Sequence, residues 1–312
     1  MRGAEKTLDV LGVGGNTLDH LCVVRGPVPP DAKSRLLRLE RQPGGQVPTA
    51  LVALRRWGLR TAYLGSFGDD EAGRISLESL RSEGVEVGIP LVRKGVRNQE
   101  SIILVDAVTG QRTVLWNRPG ELGLRVHELS RETVSSARLL LLDGYDSEVA
   151  LEAASWARES GTLVMVDLDV PDSKTEELLR RTDLAVVSRE FLERFADTRD
   201  LRTALRRIAR LGPPVAAVTL GAGGSLALAE GHFLFVPALR ERVVDSTGAG
   251  DVFHAGCAYG VLAGWTLAET LRFANAAAAL ACRRLGARAG IPSLEEAKSR
   301  AGLSLDSGAK GW

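Results

Sequence analysis

Short, fully apolar runs alternate along this chain with longer stretches in which apolar residues recur every three or four positions. "LDVLGV" (8–13) reads as a buried strand that ends in Gly14-Gly15. Residues 46–57 then carry Val47, Ala50, Leu51, Leu54 and Trp57 at helical spacing, with Gly58 as the stop. "TAYLGSFG" (61–68) predicts a strand and a glycine turn, and 71–83 a helix closed by Gly84. The rhythm resumes with a strand at 137–144, a helix at 147–161, a strand at 162–169, a helix at 173–182 and a strand at 184–188. Helical patterns follow at 189–196 and 201–212, and "VAAVTLGAGG" (215–224) reads as a strand with a glycine turn. Such alternation predicts an α/β fold: a parallel sheet whose two faces are both covered by helices.

Two segments break the rhythm. Residues 17–42 contain "GPVPPD" and then the alternating "SRLLRLERQ"; residues 91–118 contain two β-rich runs around "VTGQ". They are expected to pair into a small sheet off the main body. That sheet is either a pair of decorative hairpins or a lid over the carboxyl ends of the parallel strands, where open α/β sheets bind ligands. No repeat or low-complexity tract appears, and the tail "SLDSGAKGW" is expected to be mobile.

Composition narrows the classes. The 312 residues suit one large domain, 1–312, carrying the two lid segments. With 40 Lys+Arg against 39 Asp+Glu, the net charge of +1 supplies no field for nucleic acid or an anionic membrane. Cys22, Cys257 and Cys282 are odd in number and far apart, so they read as reduced core thiols rather than a disulfide or metal framework. No apolar h-region precedes the first glycines, and no run approaches the roughly 18–20 apolar residues of a membrane span. A cytoplasmic protein is expected.

The candidate chemistry sits in "DSTGAGDVFHAG" (245–256). Gly248, Ala249 and Gly250 leave almost no side chain at the start of a helix, where unpaired N–H groups and the helix dipole attract an anion. Asp251 follows in the first turn. One reading is that it merely complements the dipole. The other is that it takes a proton from an incoming hydroxyl while the backbone holds a phosphoryl group. No G-x-x-x-x-G-K-[ST] loop and no protein-kinase H-R-D or D-F-G set is present. "GVGG" fails the dinucleotide spacing, because Thr17 stands where the third glycine belongs.

These residues carry a resemblance. "DSTGAGDVFHAG" resembles the C-terminal signature of the ribokinase-like, or PfkB, carbohydrate kinases, and "PGGQVPTALVALRRWGLRTAYLGSFGDDEAGR" (43–74) resembles the N-terminal one. "VTLGAGGS" (218–225) is similar to that family's nucleotide loop and "FANAAAALACRRLGARAGIP" (273–292) to its adenine-side helix. The match runs from about residue 8 to 295. It implies a Rossmann-type sheet with a small β lid, and transfer of the γ-phosphoryl of ATP, with Mg2+, to a sugar or nucleoside hydroxyl. The resemblance implies Asp251 as catalytic base and the amides of Gly248, Ala249 and Gly250 as anion hole. It also implies Thr219, Gly221, Gly224 and Asn275 around the nucleotide, and Asp19, Gly44, Gly45 and Gln46 around the acceptor. Asp245 and Thr247 correspond to a loop that in many members binds a monovalent cation, often K+.

Two departures stand out. The family usually has Asn at the position of Thr49, and its N-x-x-E metal motif reads "SREF" here, with Ser188 and Phe191 at the key places and Glu190 between them. The lid segment "SIILVDAVTGQRTVLWNR" is similar to the ketohexokinase and sulfofructose kinase branch, where an Arg from such a strand reaches the substrate. Arg112 is the candidate, with Asp31 in the lid and Tyr145 and Asp146 after a central strand as further pocket residues; Trp116 is expected in the lid-interface core. The reading is an ATP-dependent kinase of a ketohexose or related sugar, or of ribose, and a homodimer through the lid. The rivals are a nucleoside kinase on the same fold and a catalytically silent sugar- or nucleotide-binding regulator.

Overall fold

The computed structural model describes residues 6–304; the end of the tail discussed above, 305–312, lies outside the described residues. The strands are β1 (Leu8–Val13), β2 (Thr17–Val24), β3 (Arg38–Gly44), β4 (Thr61–Leu64), β5 (Ser66–Gly68), β6 (Leu91–Arg93), β7 (Glu100–Asp106), β8 (Arg112–Asn117), β9 (Ala137–Leu142), β10 (Leu163–Leu168), β11 (Leu184–Ser188), β12 (Val215–Thr219), β13 (Ser225–Ala229) and β14 (His232–Val236). The helices are α1 (Gln46–Arg56), α2 (Glu71–Ser82), α3 (Arg131–Ser136), α4 (Ser147–Glu159), α5 (Thr175–Leu179), α6 (Arg189–Ala196), α7 (Leu201–Ala209), α8 (Ala249–Leu262), α9 (Leu267–Ala281) and α10 (Leu294–Arg300).

Eight strands form the main sheet in the order β14-β13-β12-β11-β10-β9-β1-β4, parallel from β12 to β4. The central strands are largely apolar because both of their faces are covered. Leu139 and Leu141 of β9 pack toward α1, α8 and α9, while Leu140 and Leu142 pack toward α4, α6 and α7. Trp57, Tyr259, Trp265 and Phe273 lock α1, α8 and α9 together by edge-on and tilted ring contacts. No described helix is long and apolar enough to cross a membrane.

The expectation of a purely parallel sheet needs one correction. β13 and β14 extend the sheet as an antiparallel edge beyond the Gly221–Gly224 turn. Gly224 makes this possible: its φ is +98°, and a Cβ there would strike the backbone of Val236 and Pro237.

The two segments that broke the rhythm do form a second sheet, in the order β3-β2-β7-β8, with β2 and β7 parallel and the outer pairs antiparallel. Leu21, Ile103 and Val105 bury its inner face against Leu285. Residues 91–93 do not join it. They pair with β5 in a separate two-stranded ladder, because the 61–68 run breaks at Gly65 and sends β5 away from the main sheet.

Candidate active site

The lid and the carboxyl ends of the main strands enclose a cleft of about 440 Å3. The first turn of α8 stands on one side of it. Asp245 shapes the approach: its carboxylate accepts from the Thr247 amide (2.9 Å), the Thr247 hydroxyl (2.7 Å) and the Gly286 amide (2.8 Å). These bonds hold the loop in shape and leave lone pairs on the Asp245 carboxylate and the Thr247 hydroxyl. Gly248 turns the chain into the helix with φ +77°, and a Cβ there would lie 2.6 Å from the Cα of Ala287. The Ala249 amide bends back to the Ser246 carbonyl at 3.3 Å, so it is the least free of the three anion-hole amides. A Cβ on Gly250 would meet nothing within 4 Å.

Asp251 lines this cleft. Burial pushes its carboxyl up to about 8; the charges of Asp167 and Asp169 push the same way, and His254 and Arg112 oppose them. Arg112 faces the cleft from β8 and donates to the Ser246 hydroxyl at 3.1 Å. Asp167, Asp169 and His254 were passed over in the sequence because each lies inside or beside an apolar run. Only the sheet's geometry brings them to Asp251.

Opposite Asp251 lies a polar floor. Asp19 of β2 is buried and takes hydroxyl hydrogen bonds from Ser101 and Thr17, with Arg288 as its nearest countercharge; burial still raises its carboxyl to about 6. Gly44 is glycine because a Cβ would overlap the Asp19 carboxylate. Arg288 was missed within "LGARAGIP". It is buried and clamps Ser79 and the Gly44 carbonyl at 2.7 and 3.0 Å. Gly45 and Gln46 line the cleft where α1 begins. The Oε1 atoms of Gln46 and of Gln99, another cleft-lining residue, are buried without a hydrogen-bond partner, and so are open to a bound hydroxyl. Asp143, just after β9, accepts from the Gly15 amide at 2.6 Å, and Gly14 lacks a Cβ that would collide with it. The glycines of "GVGG" thus serve close packing.

Three acceptor-side expectations are corrected. Thr49 is fully buried in α1 and does not line the cleft, because it faces the helix's packed side. Asp31 is exposed in the loop between β2 and β3, with φ +55°, outside the cleft lining. Trp116 is not core: it is 53 % exposed, lines the cleft, and meets Tyr145 edge-on at 6.0 Å. Asp146 instead pairs with Arg118 at 2.7 Å beside that wall.

On the remaining side, Ser188 ends β11 and caps α6, accepting from the Phe191 amide at 3.1 Å. Thr219 is its direct neighbour across the sheet, and exposed Gly221 follows. Ser188, Glu190 and Arg194 line the cleft, with Glu190 paired to Arg194 at 2.6 Å. Asn275 is corrected to a structural part. It is buried, and its amide nitrogen donates to Ser225 Oγ (3.0 Å) and the Val236 carbonyl (3.2 Å), binding α9 to the antiparallel edge. Among the described residues no group of three or more His, Cys, Asp or Glu is arranged to hold a metal. Such a donor set fits a metal that arrives with a polyphosphate and water, with Ser188 and Glu190 as the cleft's oxygen donors on that side.

A strand-end cleft with a glycine-rich helix start, an aspartate in its first turn and a small sheet across its mouth has the parts that phosphoryl transfer needs. The chain belongs to the pfkB family of carbohydrate kinases, whose model matches residues 11–294. It is 30 % identical over 249 residues to an uncharacterized sugar kinase of Archaeoglobus fulgidus, covering 77 % of this chain and 98 % of that one. It is 24 % identical to a 5-dehydro-2-deoxygluconokinase of Clostridium tetani, over 94 % and 93 % of the two chains. A crystal structure of a ribokinase-named chain from Agrobacterium tumefaciens superposes with a TM-score of 0.88 at 27 % identity, over 94 % and 97 %. The protein is therefore a sugar or nucleoside kinase of the ribokinase fold.

Proposed function

We propose that this enzyme transfers the γ-phosphoryl group of ATP, as its magnesium complex, to a hydroxyl of a sugar, with Asp251 as general base. The observation that carries the reading is the position of Asp251: in the first turn of α8, next to Gly250, in the cleft that Asp19, Gln46 and Gln99 also line. The floor residues orient the acceptor's hydroxyls. Asp251 accepts the proton of the attacking hydroxyl, while the Gly250 and Asp251 amides and the helix dipole take up charge on the transferring group. The magnesium ion neutralises the triphosphate when bound. Lid closure by β8 excludes water, which would otherwise compete as acceptor.

A ketohexose, or a phosphorylated or acidic relative, suits the polar floor, and ribose is the smaller alternative. A nucleoside acceptor is the second reading, supported by Trp116 and Tyr145, which offer an aromatic wall to a base. ADP release over a panel of ketoses, aldoses, sugar acids and nucleosides separates the two. Any dependence on K+ runs through the loop that Asp245 and Thr247 shape, and is read by exchanging K+ for Na+.

Asp251→Asn should lower kcat by about two to four orders of magnitude, the usual worth of an acid–base group. ATP affinity should barely change, because the amides remain. Since the carboxyl sits near 8 in the free enzyme and must be ionised to act, kcat/KM of the wild type should rise with pH through that region. Near-normal turnover by the Asn variant removes Asp251 from the mechanism.

A further inference from the structure

Behind Asp251 lies a buried polar cluster that phosphoryl transfer, as described, does not use. His254 is one turn further along α8 and 3 % exposed. Its Nδ1 lies 2.7 Å from the carbonyl of Gly250 and 3.2 Å from Oδ2 of Asp167, and its Nε2 lies 3.0 Å from the carbonyl of Val186. The two carbonyls, on opposite sides of the ring, can only accept. A neutral imidazole has one N–H, so whichever tautomer it took would leave a lone pair against a carbonyl at hydrogen-bond distance. Only the doubly protonated ring donates to both carbonyls, and its charge would then hold Asp167 ionised against burial and the charges of Asp169 and Asp143, which push that carboxyl well up. Asp167 also takes a hydrogen bond from the Gln46 side chain.

We propose that His254 is a positioning residue: a buried imidazolium that ties the first turn of α8 to β10 and β11 and sets the basicity of Asp251. The inference rests on Asp251 being the base. The Gly250 carbonyl belongs to the peptide that also carries the Asp251 amide, so the ring fixes the orientation of the anion-binding turn. It also supplies positive charge beneath a carboxylate that Asp167 and Asp169 crowd with like charge. The groups acting on Asp251 are Asp167 and Asp169 from the end of β10, His254 on its own helix, Arg112 from β8 and Arg288 from the segment after α9. Asp169 faces His254, Tyr145, Arg112 and Glu190 in turn. Among these, His254 is the buried cation held between two fixed carbonyls.

The first test needs no activity. The chain has four histidines, so 15N spectra of histidine-labelled protein, with His254 assigned by loss of its signal in His254→Gln, should show both its ring nitrogens protonated at about pH 7.5. A neutral ring there overturns the proposal. The second test reads the acid limb of kcat/KM against pH. His254→Gln should move it up by about one pH unit, so that activity falls roughly tenfold near neutrality and recovers at high pH. Asp167→Asn, which keeps an acceptor for Gln46, should move it down. A merely structural role would lower activity at every pH and leave both limbs in place, and that result also overturns the proposal. Failure of the base assignment shows separately, as near-normal turnover of Asp251→Asn.

Discussion

Gly248 and Gly250 stand two residues apart and are glycine for different reasons. Gly248 has a positive φ and the backbone of Ala287 against it, so any side chain there strains the fold. Gly250 lies in regular helix with free space before it, and its missing side chain matters only to a ligand. The expectation from sequence treated both as one anion hole. The structure separates them. Gly250→Val should therefore fold with undiminished thermal stability and lose about a hundredfold or more in kcat/KM, on the order of losing one anion-hole donor. Gly248→Ala should instead lower stability by about 1–3 kcal/mol. Thermal melts beside a coupled ADP assay check the pair, and an active Gly250→Val would sink the anion site.

The elements themselves were largely legible. Apolar runs and helical spacing located the strands of the parallel core and the helices α1, α2 and α4 to α7, because residues buried on both faces of a sheet leave a clear hydrophobic signature; the short α3 was not read, and α9 came only with the family resemblance. β13 and β14 were not read, since the half-exposed "HFLFV" follows a turn too closely to register as another core strand. In the lid, β8 is exposed along its whole length, and its pattern did not reveal which side faces the cleft. The pairing with β7 decides it: Ser101 and Ile103 share a face with Trp116 and Val114, and Arg112 follows on the same side. Arg112→Ala should raise KM for the acceptor more than KM for ATP, because β8 closes over the hydroxyl that Asp251 deprotonates. Equal effects on both constants would remove Arg112 from acceptor binding.

At the scale of the molecule, the lid's outer face is the least covered surface. Leu39, Ile102 and Leu115 are 59 %, 48 % and 55 % exposed. The registers of β2 with β3 and β7, and of β7 with β8, put them on one side of the sheet. Such a face, with open edges at β3 and β8, suits a second copy of the same lid, which is the basis for proposing a homodimer. Light scattering should give twice the chain mass, and Leu115→Lys should shift it to monomer with the α/β body still folded. A wild-type monomer at micromolar concentration would refute it.

What the sequence determined by itself was the local and the repetitive: the parallel α/β core, the two departing segments, and the short glycine-rich motif that places Asp251 at a helix start. Each is encoded by neighbours in the chain, through periodicity, turn chemistry or backbone freedom. Tertiary structure alone decided the rest. It brought Asp167, Val186 and Gly250 to the two nitrogens of His254, set Arg288 behind Asp19, and turned Trp116 toward the cleft. It also withdrew Thr49 and Asn275 into packing contacts. Those outcomes depend on strands and loops far apart in the chain meeting at the carboxyl edge of one sheet, and on which buried polar atoms find partners there.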